Sequence, residues 1–168
     1  MPNWCANIIK ISGTKSNLDV LKSKLTEQKD EKVNFMEYLI GLVDIPDNYQ
    51  KDAWRLHNLY RFGTKWDFPF SDSDLELAIK EDSISIFNLT ANSPIIPFLS
   101  KLCKKYKVEA IIDYFEPGNN FGGRAEIDSS GVECDKECGY LEAMFLYNNK
   151  RFWAEVERYI ENEFFDDF

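Results

Sequence analysis

An α+β fold is what this sequence predicts, from two apolar alternations that meet at a turn, a helical stripe directly after them, and a returning strand. Leu75, Leu77 and Ile79 alternate with Glu76, Ala78 and Lys80. Successive side chains of a strand point to opposite faces, so the apolar set shares one face. Glu81 and Asp82 turn the chain, and Ser83 to Thr90 repeats the alternation through Ile84 and Ile86, so the two runs are expected to pair antiparallel. Ser93-Pro94 predicts a helix start, with Ser at the N-cap and Pro at the first helical position. Ile95, Phe98, Leu99, Leu102 and Tyr106 follow at helical spacing, with Lys101, Lys104 and Lys105 toward the end that favours cations. Val108 to Phe115 returns as a strand.

Upstream, Trp4 to Ile11 reads as a strand with Cys5, Asn7, Ile9 and Ile11 on one face, Ile9 and Ile11 pointing inward. Gly13 closes it, and Ser16 or Asn17 is expected to open a helix with Leu18, Leu21 and Leu25 as its apolar stripe. Strand, helix, hairpin, helix, strand is the order of a ferredoxin-like βαββαβ sandwich, an antiparallel sheet with helices on one face. Residues 1–28 and 73–128 would form this core of a single domain, with Ala125 and Ile127 on an added strand. Residues 29–72 exceed an ordinary loop and are dense in aromatics (Trp54, Tyr60, Phe62, Trp66). They read as an insertion packed at one end of the sheet. Residues 139–168 form a C-terminal extension in which Phe152, Val156, Tyr159 and Ile160 give an amphipathic helix facing the sheet.

The chain has 168 residues, 44% of them hydrophobic, enough for one domain with a sizeable core. A net charge of −9 repels a phosphate backbone, which favours a basic partner over nucleic acid. No apolar run approaches the roughly 20 residues of a membrane helix, and the N-terminus lacks the pattern of a signal peptide. The expectation is therefore a cytoplasmic protein with no membrane partner, whose four cysteines are free thiols.

Four short blocks together resemble the YubB ferredoxin-like family, uncharacterised proteins of plasmids, phages and bacterial genomes. They are Met1-Pro2-Asn3-Trp4-Cys5 with Asn7, Ile9, Ile11 and Gly13; Gly63-Thr64-Lys65-Trp66-Asp67; Thr90-Ala91 with Ser93-Pro94; and Tyr114 with Glu116-Pro117-Gly118, Phe121 and Gly123. The sequence departs from the family pattern at Phe62, Asn92 and Ile95, where that pattern has Trp, Trp and Pro. The resemblance implies a fold and a mobile-element setting, and it brings no established activity.

Candidate chemistry is sparse. Cys5, Cys103, Cys134 and Cys138 lack the spacing of an iron–sulfur site, so no cofactor is expected. Cys134 and Cys138 with His57 are the remaining route to a zinc, which only long-range folding could assemble, and no metal is expected. The single histidine excludes a two-histidine phosphodiesterase. Asp113 and Glu116, with Glu126 and Asp128 on the next strand, are a conceivable magnesium set of a metal-dependent hydrolase. Gly118, Gly122 and Gly123 mimic part of a phosphate-binding loop, although Arg124 and Ala125 follow where Lys and Ser or Thr are needed. A structural turn, with glycine making room for an aromatic neighbour, is the preferred reading.

Two stretches carry the binding expectations. Tyr60, Arg61, Phe62, Lys65 and Trp66 interleave cations and aromatics as a nucleotide or single-strand stacking site does. Glu157, Glu161, Glu163, Asp166 and Asp167 make the end of the C-terminal helix acidic, against the helix dipole, as an interaction surface for a basic partner would. The leading expectation is a non-enzymatic mobile-element protein that occupies a basic surface on a host protein, such as a defence nuclease, and inhibits it. The nucleotide or single-strand binder and the hydrolase are the alternatives.

Overall fold

The computed structural model describes residues 3–29, 63–64, 75–139 and 142. Its elements run β1 (Trp4–Ser12), α1 (Lys15–Lys29), β2 (Leu75–Ile79), β3 (Ile84–Ala91), α2 (Ile96–Tyr106), β4 (Glu109–Glu116), β5 (Phe121–Ile127) and β6 (Val132–Gly139). The strands form one six-stranded sheet in the order β2-β3-β1-β4-β5-β6, with every neighbouring pair antiparallel. This is an α+β fold.

The core follows from the register. Ile11 lies opposite Ile84 and Ala110, and Ile9 opposite Ile86 and Ile112. Ala125 and Ile127 continue the two rows onto β5. Over this face pack Leu18, Leu21 and Leu25 of α1 and Phe98, Leu99, Leu102, Cys103 and Tyr106 of α2, all in one buried cluster. Helix α1 has no acidic residue in its first turn to favour the dipole. Its leucines hold it, each fully buried one contributing roughly 1.5–3 kcal/mol.

Both helix starts differ from the sequence expectation. Thr14 rather than Ser16 or Asn17 caps α1: its Oγ1 accepts from the Asn17 N–H at 3.4 Å. Asn17 instead reaches across, its Nδ2 donating at 2.8 Å to the Lys107 carbonyl, where α2 ends in a left-handed residue. Helix α2 begins at Ile96 with Ile95 at the N-cap, no side-chain cap, and Pro97 in its first turn. Ser93 and Pro94 precede it because the Ser93 hydroxyl is spent on the Gly63 carbonyl.

Strand β6 lacks a sequence signature because it has no inward apolar set. Val132 is 45% exposed, and among the described residues the strand pairs with β5 alone, at the end of the sheet order. Ladder hydrogen bonds carry it, and its charged residues suit an edge that must not recruit another strand. Among the described residues, no helix is long and apolar enough to cross a membrane.

Candidate functional site

Along the strands, the core face of the sheet changes from apolar to polar. One pleat beyond Ile9 and Ile86, Asn7 stands opposite Asn88 on one side and Tyr114 on the other. The next step brings Cys5 opposite Thr90. Asn7, Asn88, Thr90 and Glu116 are all buried, although polar groups in a protein interior need partners to offset desolvation.

A relay of side chains supplies some of those partners. Asn7 Nδ2 donates to Thr90 Oγ1 at 2.9 Å and lies 3.1 Å from the Cys5 carbonyl. The Thr90 hydroxyl donates at 2.6 Å to the Ser93 carbonyl, the Ser93 hydroxyl donates to the Gly63 carbonyl, and Thr64 Oγ1 donates at 2.9 Å to the Ala91 carbonyl. Asn7 Oδ1 and both amide atoms of Asn88 have no hydrogen-bond partner among the described residues. Each such atom costs about 1–3 kcal/mol if it stays unpaired.

The relay fixes Gly63 and Thr64 against the junction of β3 and α2. Gly63 has φ +83, and a Cβ there would lie 2.6 Å from the Pro94 carbonyl oxygen, so this approach requires glycine. These two residues separate the halves of the proposed stacking stretch. Tyr60, Arg61, Phe62, Lys65 and Trp66 themselves lie outside the described residues, as do Trp54 and His57.

Two of the four carboxylates in the expected magnesium set, Asp113 and Glu116, are committed elsewhere. Asp113 Oδ1 and Oδ2 accept from Arg124 Nε and Nη2 at 2.5 and 2.7 Å, a bidentate pair across β4 and β5 on the face away from the helices. Glu116 points to the other face, where Oε1 and Oε2 accept from the Gly118 and Asn119 N–H groups at 2.7 Å each. This also settles the glycine-rich stretch: the loop joins two strands, and those two N–H groups are turned to Glu116 rather than to a phosphate. Gly123 gives room to the Tyr114 ring, as a structural reading of this glycine requires.

The thiols divide by position. Burial pushes the Cys5 and Cys103 thiols up to about 12, with the charges of Asp128 and Glu109 adding to the effect at Cys103. Both are poor nucleophiles and poor ligands at neutral pH. Cys134 and Cys138 lie on the same face of β6, and four residues of strand hold them about 13 Å apart, too far to share one zinc. Among the described residues no group of three potential ligands converges.

An acidic group gathers where β4, β5 and β6 meet the β5–β6 turn: exposed Glu109, Glu126 and Glu133, with Asp128 beside them. The hydroxyl and N–H of Ser130 donate to Asp128 at 2.7 and 2.6 Å and hold its carboxyl below the usual range. The charge of Asp128, ahead of smaller contributions from Glu109 and Glu126, raises the Glu133 carboxyl. Glu133 sits at a register shift that lets it crowd them. Glu157, Glu161, Glu163, Asp166 and Asp167, the acidic surface expected from the sequence, lie outside the described residues.

The strand pattern places Asn7 on the face of Cys5, Ile9 and Ile11, so its burial is legible in the sequence. Asn88, a polar residue in an apolar strand, carries no local signal of a site. Their opposition is a property of the register.

No family model matches the sequence. No curated protein matches it either. A solved structure, protein api92 from Yersinia pseudotuberculosis of the family DUF1281, is similar with a TM-score of 0.54 and 11% identity, over 83% of this chain and 99% of that one. At that identity the likeness is one of fold alone.

Proposed function

We propose that this protein works by binding a basic protein surface rather than by catalysis. The observation that carries the reading is the commitment of the described groups best placed for chemistry. Asp113 is paired to Arg124, Glu116 to its own loop, and Asp135 accepts from the Tyr114 hydroxyl at 2.8 Å. Cys5 is a buried thiol held protonated. Exposed and crowded at one end of the sheet are Glu109, Glu126 and Glu133, beside an Asp128 held by Ser130, and a cationic partner would relieve their mutual repulsion. The net charge of −9 steers the same kind of partner.

In the same proposal the first four strands and two helices are a ferredoxin-like βαββαβ unit extended by β5 and β6. The order β2-β3-β1-β4, its antiparallel pairing and the common core of both helices support this. A YubB-type, mobile-element protein acting in the host cytoplasm is the setting we propose. In its support, several residues of that resemblance, distant in sequence, meet at the polar end of the sheet: Asn7, Gly63, Thr64, Thr90, Ser93, Tyr114 and Glu116. The host protein it would occupy, and inhibit, is one with a cationic surface for nucleic acid.

The test is capture from host extract at low salt with the wild type and two variant sets. One carries Glu109→Gln, Glu126→Gln and Glu133→Gln; the other carries Glu157→Gln, Glu161→Gln, Asp166→Asn and Asp167→Asn. The expected result is a basic protein that is released by salt, because exposed charges are screened over about 8–10 Å, and lost with at least one set. A partner indifferent to salt and to both sets would overturn the acidic-surface mechanism.

A further inference from the structure

The polar end of the core face holds a site that neither the binding reading nor the resemblance assigns. Asn7 and Asn88 face each other across β1 and β3, 0% and 1% exposed. The Asn7 amide nitrogen is satisfied by the Thr90 hydroxyl, which leaves Asn7 Oδ1 as an acceptor. Asn88 offers an acceptor and a donor from the same amide. The register sets the two side chains side by side on the core face, with Asn7 Nδ2 3.4 Å from the Asn88 carbonyl, and burial excludes bulk solvent from supplying partners to the three open atoms.

We propose that the Asn7–Asn88 pair is an internal binding site for one water molecule, which donates to Asn7 Oδ1 and exchanges hydrogen bonds with the Asn88 amide. The chemistry selects the ligand. It must be neutral, because a charge taken into so buried a position would be heavily penalised and no described charged side chain bonds to either amide. It must both donate and accept, because the open atoms include two acceptors and a donor. It must be small, because the Ile9 and Ile86 row closes one side and the Thr90–Cys5 row the other. A water with two to four polar partners meets all three conditions. Through Asn7 and Thr90 it extends the relay that ends at Ser93 and Gly63, so this end of the sheet is held by a continuous polar network.

Two measurements test this on the full chain. In a high-resolution crystal structure of the wild type, a single solvent peak is expected within hydrogen-bond distance of Asn7 Oδ1 and of at least one Asn88 amide atom. An Asn7–Asn88 side-chain hydrogen bond with no peak, or density for a larger molecule, would overturn the proposal. The second is the sign of the melting shift in Asn88→Leu. If the water is there, this variant strands it and Asn7 Oδ1, and the Tm falls by about 3–6 °C or the chain fails to fold. If the amides are dry and unpaired, the substitution removes two unpaired polar atoms from the interior and the Tm rises, which sinks the idea; a dry pair bonded directly to each other also lowers the Tm and is told apart by the absent solvent peak, which overturns the proposal.

Discussion

The Tyr114 ring occupies the space that a side chain at Gly123 would fill, and its hydroxyl passes over that glycine to donate to Asp135 at 2.8 Å. The two residues are register partners on β4 and β5, while Asp135 lies on β6, so one aromatic side chain ties three strands together at the polar end of the sheet. Phe121 packs against the same ring at 6.3 Å between centroids.

Gly123→Ala would place a Cβ 2.5 Å from the Tyr114 hydroxyl oxygen and 2.7 Å from Cζ. Neither the ring nor the β6 backbone behind it can yield cheaply, so urea denaturation should show a loss of about 1–3 kcal/mol. Gly139→Ala, on β6 with nothing within 4 Å of the new methyl, should be nearly neutral. Equal effects at the two positions would show that the Tyr114 contact is not the cause.

Arg124 and Asp113 form a bidentate pair in which the carboxylate is the more buried partner, 12% exposed against 38%. Removing the cation with Arg124→Met strands a carboxylate on a largely covered strand. The expected cost is about 1.5–3 kcal/mol, the range for hydrogen bonds to a charged group. Asp113→Ala should cost less, because the half-exposed guanidinium can turn to water. The ratio of the two losses, measured by chemical denaturation, checks the assignment.

Alkaline pH should destabilise the fold through its buried thiols. Cys5 and Cys103 rise from 9.0 to about 12 on folding, so the folded state holds their protons more tightly than the unfolded chain does. Their contribution is complete below about pH 9 and is lost as pH rises from there through about 12. Tyr114 adds in the same direction, raised first by burial and then by its bond to Asp135. The Tm should therefore fall as the pH rises above about 9, and the double variant Cys5→Ala, Cys103→Ala should show a shallower fall from a lower starting point. Parallel slopes would remove the thiols from the account.

Thiol accessibility gives an independent check. Iodoacetamide at pH 8 should modify Cys134 and Cys138 in the native protein and spare Cys5 and Cys103 until denaturant is added. Mass spectrometry of the digested protein reads this directly. Burial ahead of the charges of Glu142 and Glu137 raises the Cys138 thiol, so its rate should fall below that of an unhindered thiol. Early modification of Cys5 would contradict the packing of β1.

The sequence by itself determined the elements whose burial is written in their periodicity. Alternation in Trp4 to Ile11 and Ser83 to Thr90, and the helical stripes of Leu18, Leu21, Leu25 and of Phe98, Leu99, Leu102, are local patterns, because each chain segment must put its apolar residues on one side. Tertiary structure decided what depends on partners from elsewhere in the chain. Ser93 looks like a helix cap in isolation and serves Gly63 instead, because a carbonyl 30 residues away competes for its hydroxyl. Strand β6 exists because β5 offers an open ladder, which no feature of its own residues announces. Asp113 and Glu116, three residues apart, point to opposite faces, where Arg124 pairs with one and two backbone N–H groups of the following turn donate to the other. The opposition of Asn7 and Asn88 arises only when β1 and β3 settle into register, and that register is set by the isoleucine rows beside it, whose burial outweighs the cost of enclosing two amides.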